Sequence, residues 1–105
     1  MLRGFEKISF PQFNVDISNN KELYNEYNLP TRSTKHSAGY DFWAIEDIVI
    51  KSGETVKIPT GVKVYMNTDE MLMLVVRSSM GFKHNVRLCN QVGIIESDYY
   101  NNESN

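Results

Sequence analysis

The residue types best able to do chemistry sit in one stretch, Asn90-Gln-Val-Gly-Ile-Ile-Glu-Ser-Asp-Tyr99. Val92 to Ile95 is a short apolar run that contains a glycine and is followed by two carboxylates and an aromatic ring. The spacing predicts a strand that turns Glu96 and Asp98 to one face and Ser97 and Tyr99 to the other, for as long as it stays extended. An amide at the entrance (Asn90) and an acid–aromatic cluster at the exit suit a small polar ring held against a chemical step. An edge strand running into a polar turn fits the same pattern, and residue types alone leave both readings open. Two other reactive side chains carry less. His36 lies in the polar loop Thr31–Gly39 and reads as a solvated side chain, because no second His or Cys stands at metal-ligand spacing. Cys89 reads as packing on a strand beside Asn90, not as a nucleophile.

These residues need elements to position them. Phe5 to Phe10 is apolar-rich and predicts a first strand, stopped by Pro11. Asn19 to Asn28 predicts a short helix with Leu23 and Tyr27 on one narrow stripe, Asn20 as its cap and Pro30 as its stop. From Tyr40 onward the pattern is strand after strand. Tyr40–Ile45 comes first, then Ile48–Ile50 and Thr55–Ile58 around a Lys51-Ser-Gly-Glu54 turn, then Val62–Met66 with half-buried alternation. Met71–Val76 is apolar throughout and is expected to be buried on both faces, and Val86–Leu88 is a further short strand. Met71, Met73 and Met80 read as packing. Short strands at such spacing, with turn signals between them, predict one all-β domain over 1–105, a sandwich, jelly roll or barrel.

Composition excludes several classes. The net charge of −2 and the scattered basic residues give no electropositive footprint for nucleic acid. No apolar run reaches membrane-spanning length, and the N-terminus has no signal-peptide core. One cysteine excludes an internal disulfide and fits a reducing compartment. These observations predict a cytoplasmic protein with no membrane or nucleic-acid partner.

Three stretches share a register that spacing alone does not supply. Ala38-Gly-Tyr-Asp-Phe-Trp-Ala44, Arg77-Ser-Ser-Met-Gly81 and Asn90 to Tyr99 resemble, in order and separation, the first three motifs of the dUTP pyrophosphatase (dUTPase) family. Pro30-Thr-Arg32 and Pro59-Thr-Gly-Val-Lys63 are similar to family sequence as well. The resemblance implies a dUTPase-like jelly roll or distorted β-barrel that works as a homotrimer. It also implies magnesium-dependent hydrolysis of dUTP to dUMP and pyrophosphate, which keeps uracil out of DNA. Arg77, Ser78 and Ser79 then grip the phosphates, and Arg77 brings a planar, permanently charged fork to them. Asn90 reads uracil, since its amide carries a donor and an acceptor. Gly93 and Ile95 belong to the substrate-binding strand, and Tyr99 lies under the deoxyribose and excludes a 2′-hydroxyl. Asp41 helps hold Mg2+-bound phosphates through water, with no direct metal ligand expected, because magnesium keeps several waters.

Two departures shape the expectation. Glu96 stands where the family's water-activating residue is nearly always Asp. Glutamate keeps the carboxylate but adds a methylene, so its oxygens can lie ~1 Å or more from the wanted position, and a misplacement of ~1 Å can cost roughly 10²-fold in rate. The sequence also shows no counterpart of the family's fourth motif or of its glycine-rich fifth. The expectation is therefore an incomplete domain without its last strands, and negligible turnover by these 105 residues alone. Two alternatives stand beside the hydrolase. One is a module that binds deoxyuridine nucleotides without turnover, and the other is a dCTP deaminase, which shares the fold and an Arg-Ser-Ser stretch.

Overall fold

Ser9 decides how the chain leaves its first strand. In the computed structural model, which describes residues 2–77, 86–89 and 92–102, β1 (Gly4–Lys7) ends before it. The Ser9 hydroxyl accepts from the Gln12 amide at 3.4 Å and opens helix α1 (Phe10–Asp16). Pro11 lies in the first turn of α1, where a missing N–H costs nothing. This corrects the expected strand through Phe10: Pro11 starts a helix and does not end a strand. Helix α2 (Lys21–Glu26) follows as the sequence predicts, with Asn20 Oδ1 accepting from Leu23 N at 3.0 Å. Tyr27 leaves it in an extended conformation.

The two helices are too short to persist alone and are held by aromatic packing. Phe13 is fully buried, stacked on Tyr27 at 5.6 Å between ring centroids and edge-on to Tyr24 at 5.1 Å. Ile8 completes the buried cluster, with Phe10, Ile17, Leu23, Ile45 and Val62 against it. The polar tips find partners: Tyr27 Oη donates to Gly61 O at 2.6 Å, and Tyr24 Oη donates to Ile8 O at 2.6 Å. Lys7 stretches its ammonium over the Tyr27 ring, 4.2 Å from the centroid, and donates to Tyr24 O at 2.7 Å. Gly61 is needed where it is. Its φ is +69°, and a Cβ would stand 2.9 Å from both Ile45 Cδ1 and Tyr27 Oη.

Strands and a few short helices make up the regular structure, the all-β class expected. The described strands form two separate antiparallel pairs and no closed barrel. β1 pairs with β2 (Val62–Tyr65), Gly4 opposite Tyr65 and Lys7 opposite Val62. β3 (Met71–Leu74) pairs with β4 (Gly93–Glu96), Met71 opposite Glu96 and Leu74 opposite Gly93. A 3-10 helix, Ser97–Asn101, continues directly from β4.

Several strand expectations are corrected. Tyr40–Ile45, Ile48–Ile50, Thr55–Ile58 and Val86–Leu88 form no ladder, apart from one bridge at Asp41. Their β-favouring residues find no strand partner among the described residues, and β-propensity without a partner does not make a sheet. The turn between them does form, with Glu54 N donating to Lys51 O at 2.9 Å and Gly53 at φ +78°. Met71–Val76 is not buried on both faces. Leu72 and Leu74 turn inward, while Met71, Met73 and Val75 are exposed, so these two methionines are not core packing. Met80 lies outside the described residues. Cys89 is exposed and not in a strand.

Candidate functional site

The first motif is fixed through its backbone. Asp41 N donates to Thr31 O at 2.7 Å, and Thr31 N donates to Asp41 O at 3.2 Å. This pair closes the polar loop between them, which Arg32 braces by donating to Ser37 O from Nε (3.1 Å) and Nη2 (2.8 Å). The Ser33, Thr34 and Ser37 hydroxyls bond one another inside it. His36 is exposed on this loop, as expected of a solvated side chain. The rings flanking Asp41 are held from β1: Phe5 lies 5.4 Å from Tyr40 and 5.7 Å from Phe42. Asp41 itself is half-buried.

The third motif is delivered by β4. Gly93 starts the strand, Ile95 faces inward opposite Leu72, and Glu96 ends it, exposed and opposite Met71. A side chain at Gly93 would crowd Leu74 Cβ at 3.3 Å. The chain does not stay extended through Tyr99, so the expected alternation of residues 96 to 99 is broken by the 3-10 helix. With about three residues per turn, positions 97 and 100 share one side of that helix, away from 99. Ser97 and Tyr100 are accordingly half-buried, while Asp98 and Tyr99 are exposed, Tyr99 by 47%.

The two motifs meet at an open cavity of about 680 Å³ between the strand pairs, lined mainly by apolar groups. Phe5 and Phe42 come from one side of it, Leu72, Leu74 and Ile95 from the other, and Tyr99 closes the rim. Of the residues singled out in the sequence, Ile95 and Tyr99 line this space, and Asp41 is one residue from it. Arg77 is exposed, three residues beyond the end of β3. Among the described residues, no hydrogen bond or ion pair joins Asp41, Arg77 and Glu96 to one another. Ser78, Ser79 and Asn90 lie outside the described residues. Among the described residues no group of three or more His, Cys, Asp or Glu could hold a metal ion. Asp41 is the one acid of the first motif that could face a hydrated cation. The sequence reading did not place Phe5 and Phe42 at the site; the aromatic run Tyr40-Asp-Phe-Trp43 hinted at Phe42, and no local signal marked Phe5.

The site thus consists of a strand that ends in Glu96 and leads into a tyrosine-bearing turn, together with a first-motif segment bridged at Asp41. The dUTPase family model matches residues 25–103, and the chain belongs to that family. It is 50% identical over 104 residues to a deoxyuridine 5'-triphosphate nucleotidohydrolase of Lactococcus lactis, covering 99% of this chain and 62% of that protein. A protein of the same name from Pseudomonas fluorescens is 52% identical over 77 residues, covering 70% of this chain and 51% of the relative. One from Ectopseudomonas mendocina is 45% identical over 80 residues, covering 73% and 53%. The chain thus spans 51 to 62% of the length of these curated relatives. No solved structure matches it. No helix among the described residues is long and apolar enough to cross a membrane.

Proposed function

We propose that the protein is a dUTP diphosphatase, hydrolysing dUTP to dUMP and pyrophosphate. The observation that carries this reading is the β4–Tyr99 unit, where one strand presents Glu96 and the following turn presents Tyr99 at the rim of the cavity. The names of the relatives support the substrate. In this reading the Glu96 carboxylate takes a proton from a water as its oxygen bonds to the α-phosphorus. The bond to the β-phosphate oxygen breaks, and its electron pair leaves with pyrophosphate. Arg77, with Ser78 and Ser79, holds the phosphate chain, and a guanidinium fork suits paired phosphate oxygens. Asn90 pairs with the uracil edge, Gly93 and Ile95 line the nucleotide's strand, and Tyr99 packs against the deoxyribose and crowds a 2′-hydroxyl. Asp41 would hold Mg2+ through water, and the ion would supply charge neutralisation on the phosphates. The assembly proposed is a homotrimer in the cytoplasm, with no membrane or nucleic-acid partner. The exposure and extra length of the Glu96 side chain favour one second reading, a module that binds deoxyuridine nucleotides without turning them over.

The test uses protein expressed from its complete reading frame, with dUTP, UTP and dCTP, with and without magnesium. Pyrophosphate release from dUTP ahead of the other two is the expected result. Glu96→Asp should raise kcat by about tenfold or more and leave KM nearly unchanged, because shortening the arm changes the carboxylate's position and not substrate binding. Binding of dUMP with no release of pyrophosphate by either protein would favour the binding module. Turnover of dCTP to a uracil nucleotide would favour the deaminase.

A further inference from the structure

Tyr100 is tied to the β1–β2 pair at every part of its side chain. Its hydroxyl donates to Glu6 Oε1 at 2.7 Å. Its ring meets the edge of Tyr65 at 6.3 Å and 87°, and Lys63 Nζ stands over the ring, 4.4 Å from the centroid. The three partners share one face of the sheet. Glu6 is directly opposite Lys63, and Tyr65 is opposite Gly4, where a Cβ would run into the Tyr65 phenol ring. Gly4 thus lets Tyr65 lie over β1, which is where Tyr100 meets it.

A 3-10 helix has poor hydrogen-bond geometry, and the one that carries Tyr100 has no side-chain cap at its start, Glu96. Glu96 precedes the turn and Tyr99 lies within it, next to Tyr100, and neither is buried. Tyr99 lines the cavity, whereas Tyr100 is not among its lining residues and bonds to Glu6 on the β1–β2 pair. A ring pinned on one side therefore sets where the other ring stands.

We infer that Tyr100, gripped by Glu6, Lys63 and Tyr65, is a positioning residue that sets Tyr99 against the sugar and so governs the choice of deoxyribose over ribose. The inference rests on the nucleotide reading above. It adds that the selectivity is controlled from β1, 94 residues away in sequence.

The experiment compares dUMP and UMP binding by calorimetry in the unsubstituted full-length protein, Tyr100→Phe, Glu6→Ala and Glu6→Gln. Tyr100→Phe keeps the ring and loses the hydroxyl, so the fold is retained. The expected result is a roughly threefold to tenfold loss of the dUMP-over-UMP ratio in Tyr100→Phe and in Glu6→Ala. Glu6→Gln keeps an acceptor oxygen and should retain most of the ratio. A merely structural role would lower both affinities together and leave the ratio unchanged, which would overturn the inference. Amide exchange without nucleotide gives a second readout. Tyr100→Phe should speed exchange at Asn102, whose N–H donates to Tyr99 O at 3.0 Å, and leave the β1–β2 ladder unchanged. If the unsubstituted protein bound neither nucleotide, the nucleotide reading would fail. The exchange result would then decide the anchoring of the turn by itself, and an unchanged Asn102 rate would reject it.

Discussion

Residues 4–27 and 40–58 are built from the same kinds of side chain and end in opposite states. In the first, Phe13 has no exposed surface, and each residue from Phe5 to Lys7 meets a defined partner. Phe5 meets Tyr40 and Phe42, Glu6 meets Tyr100, and Lys7 meets Tyr24 and Tyr27. In the second, Val49 is 81% exposed and Trp43 51%, and Ile48, Ile50 and Ile58 each leave about two fifths of their surface in solvent. The first region folds back on itself within about two dozen residues and satisfies its polar tips on the way. The second depends on distant partners to cover it: Phe5 reaches Tyr40 and Phe42, but among the described residues no strand pairs with 48–58. Apolar character sets what burial would contribute. The presence of a partner decides whether burial occurs.

The comparison is most easily broken in the aromatic core. Phe13→Ala should cost about 3–5 kcal/mol, the usual range for deleting a buried phenylalanine. Val49→Ala should stay within about 0.5 kcal/mol, because an exposed side chain leaves no cavity. Urea midpoints of the two variants measure the contrast. Equal losses would mean that residue 49 is buried in solution and that the two regions do not differ.

Gly61 is where the first region grips the start of β2, and it comes next in size. Gly61→Ala would place a Cβ 2.9 Å from Tyr27 Oη on a backbone with φ +69°. Strain of this kind costs of order 1–3 kcal/mol. A midpoint unchanged from the parent would show that Tyr27 and Ile45 can move aside to admit the methyl group.

Tyr27→Phe sharpens the same contact through pH. Burial, helped by Tyr24, pushes the Tyr27 phenol up from its ordinary value. The unfolded chain therefore ionises first, at about pH 10, while the folded chain still holds the proton. Fewer protons bound in the unfolded state means that stability falls as pH rises through that window. Lys7, pushed down from 10.5 by burial, has the opposite sign below that value, since the unfolded lysine there holds a proton that the folded one releases. Phenylalanine should cost about 1–2 kcal/mol at neutral pH by stranding the Gly61 carbonyl. It should also flatten the alkaline fall expected in urea titrations run from about pH 8 to about pH 11. A fall of unchanged slope would assign it to another group.

What could be read from the sequence follows the same division between local and distant partners. Helix α2 was legible because its cap, its apolar pair and its stop all lie within eleven residues of Asn20. Helix α1 was not, because Phe5 to Phe10 reads as strand-like and Pro11 as a stop, although Ser9 followed by a proline in the first turn is also a helix start. The strand carrying Ile95 and Glu96 was legible as an apolar run with a polar end. The turn after it was not, since what shapes it is Tyr100 reaching Glu6. Strands at 48–50 and 55–58 were misread because their residue types suit a sheet whose partner strands no local pattern specifies. The motif positions of Asp41, Arg77 and Tyr99 came from register, but their mutual placement depends on contacts that no local pattern records.

The smallest effect separates the two helix caps within the packed region. Asn20 accepts from Leu23 N at 3.0 Å, whereas Ser9 accepts from Gln12 N at 3.4 Å, near the limit of a useful hydrogen bond. Removing a cap costs about 0.5–2 kcal/mol. Asn20→Ala should fall near ~1 kcal/mol and Ser9→Ala at or below the low end of that range. The order has a second physical basis. α1 carries fully buried Phe13 and is held by packing whatever its cap does, while α2 has no buried residue and depends more on its ends. Paired urea titrations of the two variants test the order. If Ser9→Ala were the costlier, the serine would be doing more than capping, most simply by fixing the turn that carries the chain from β1 into the aromatic core.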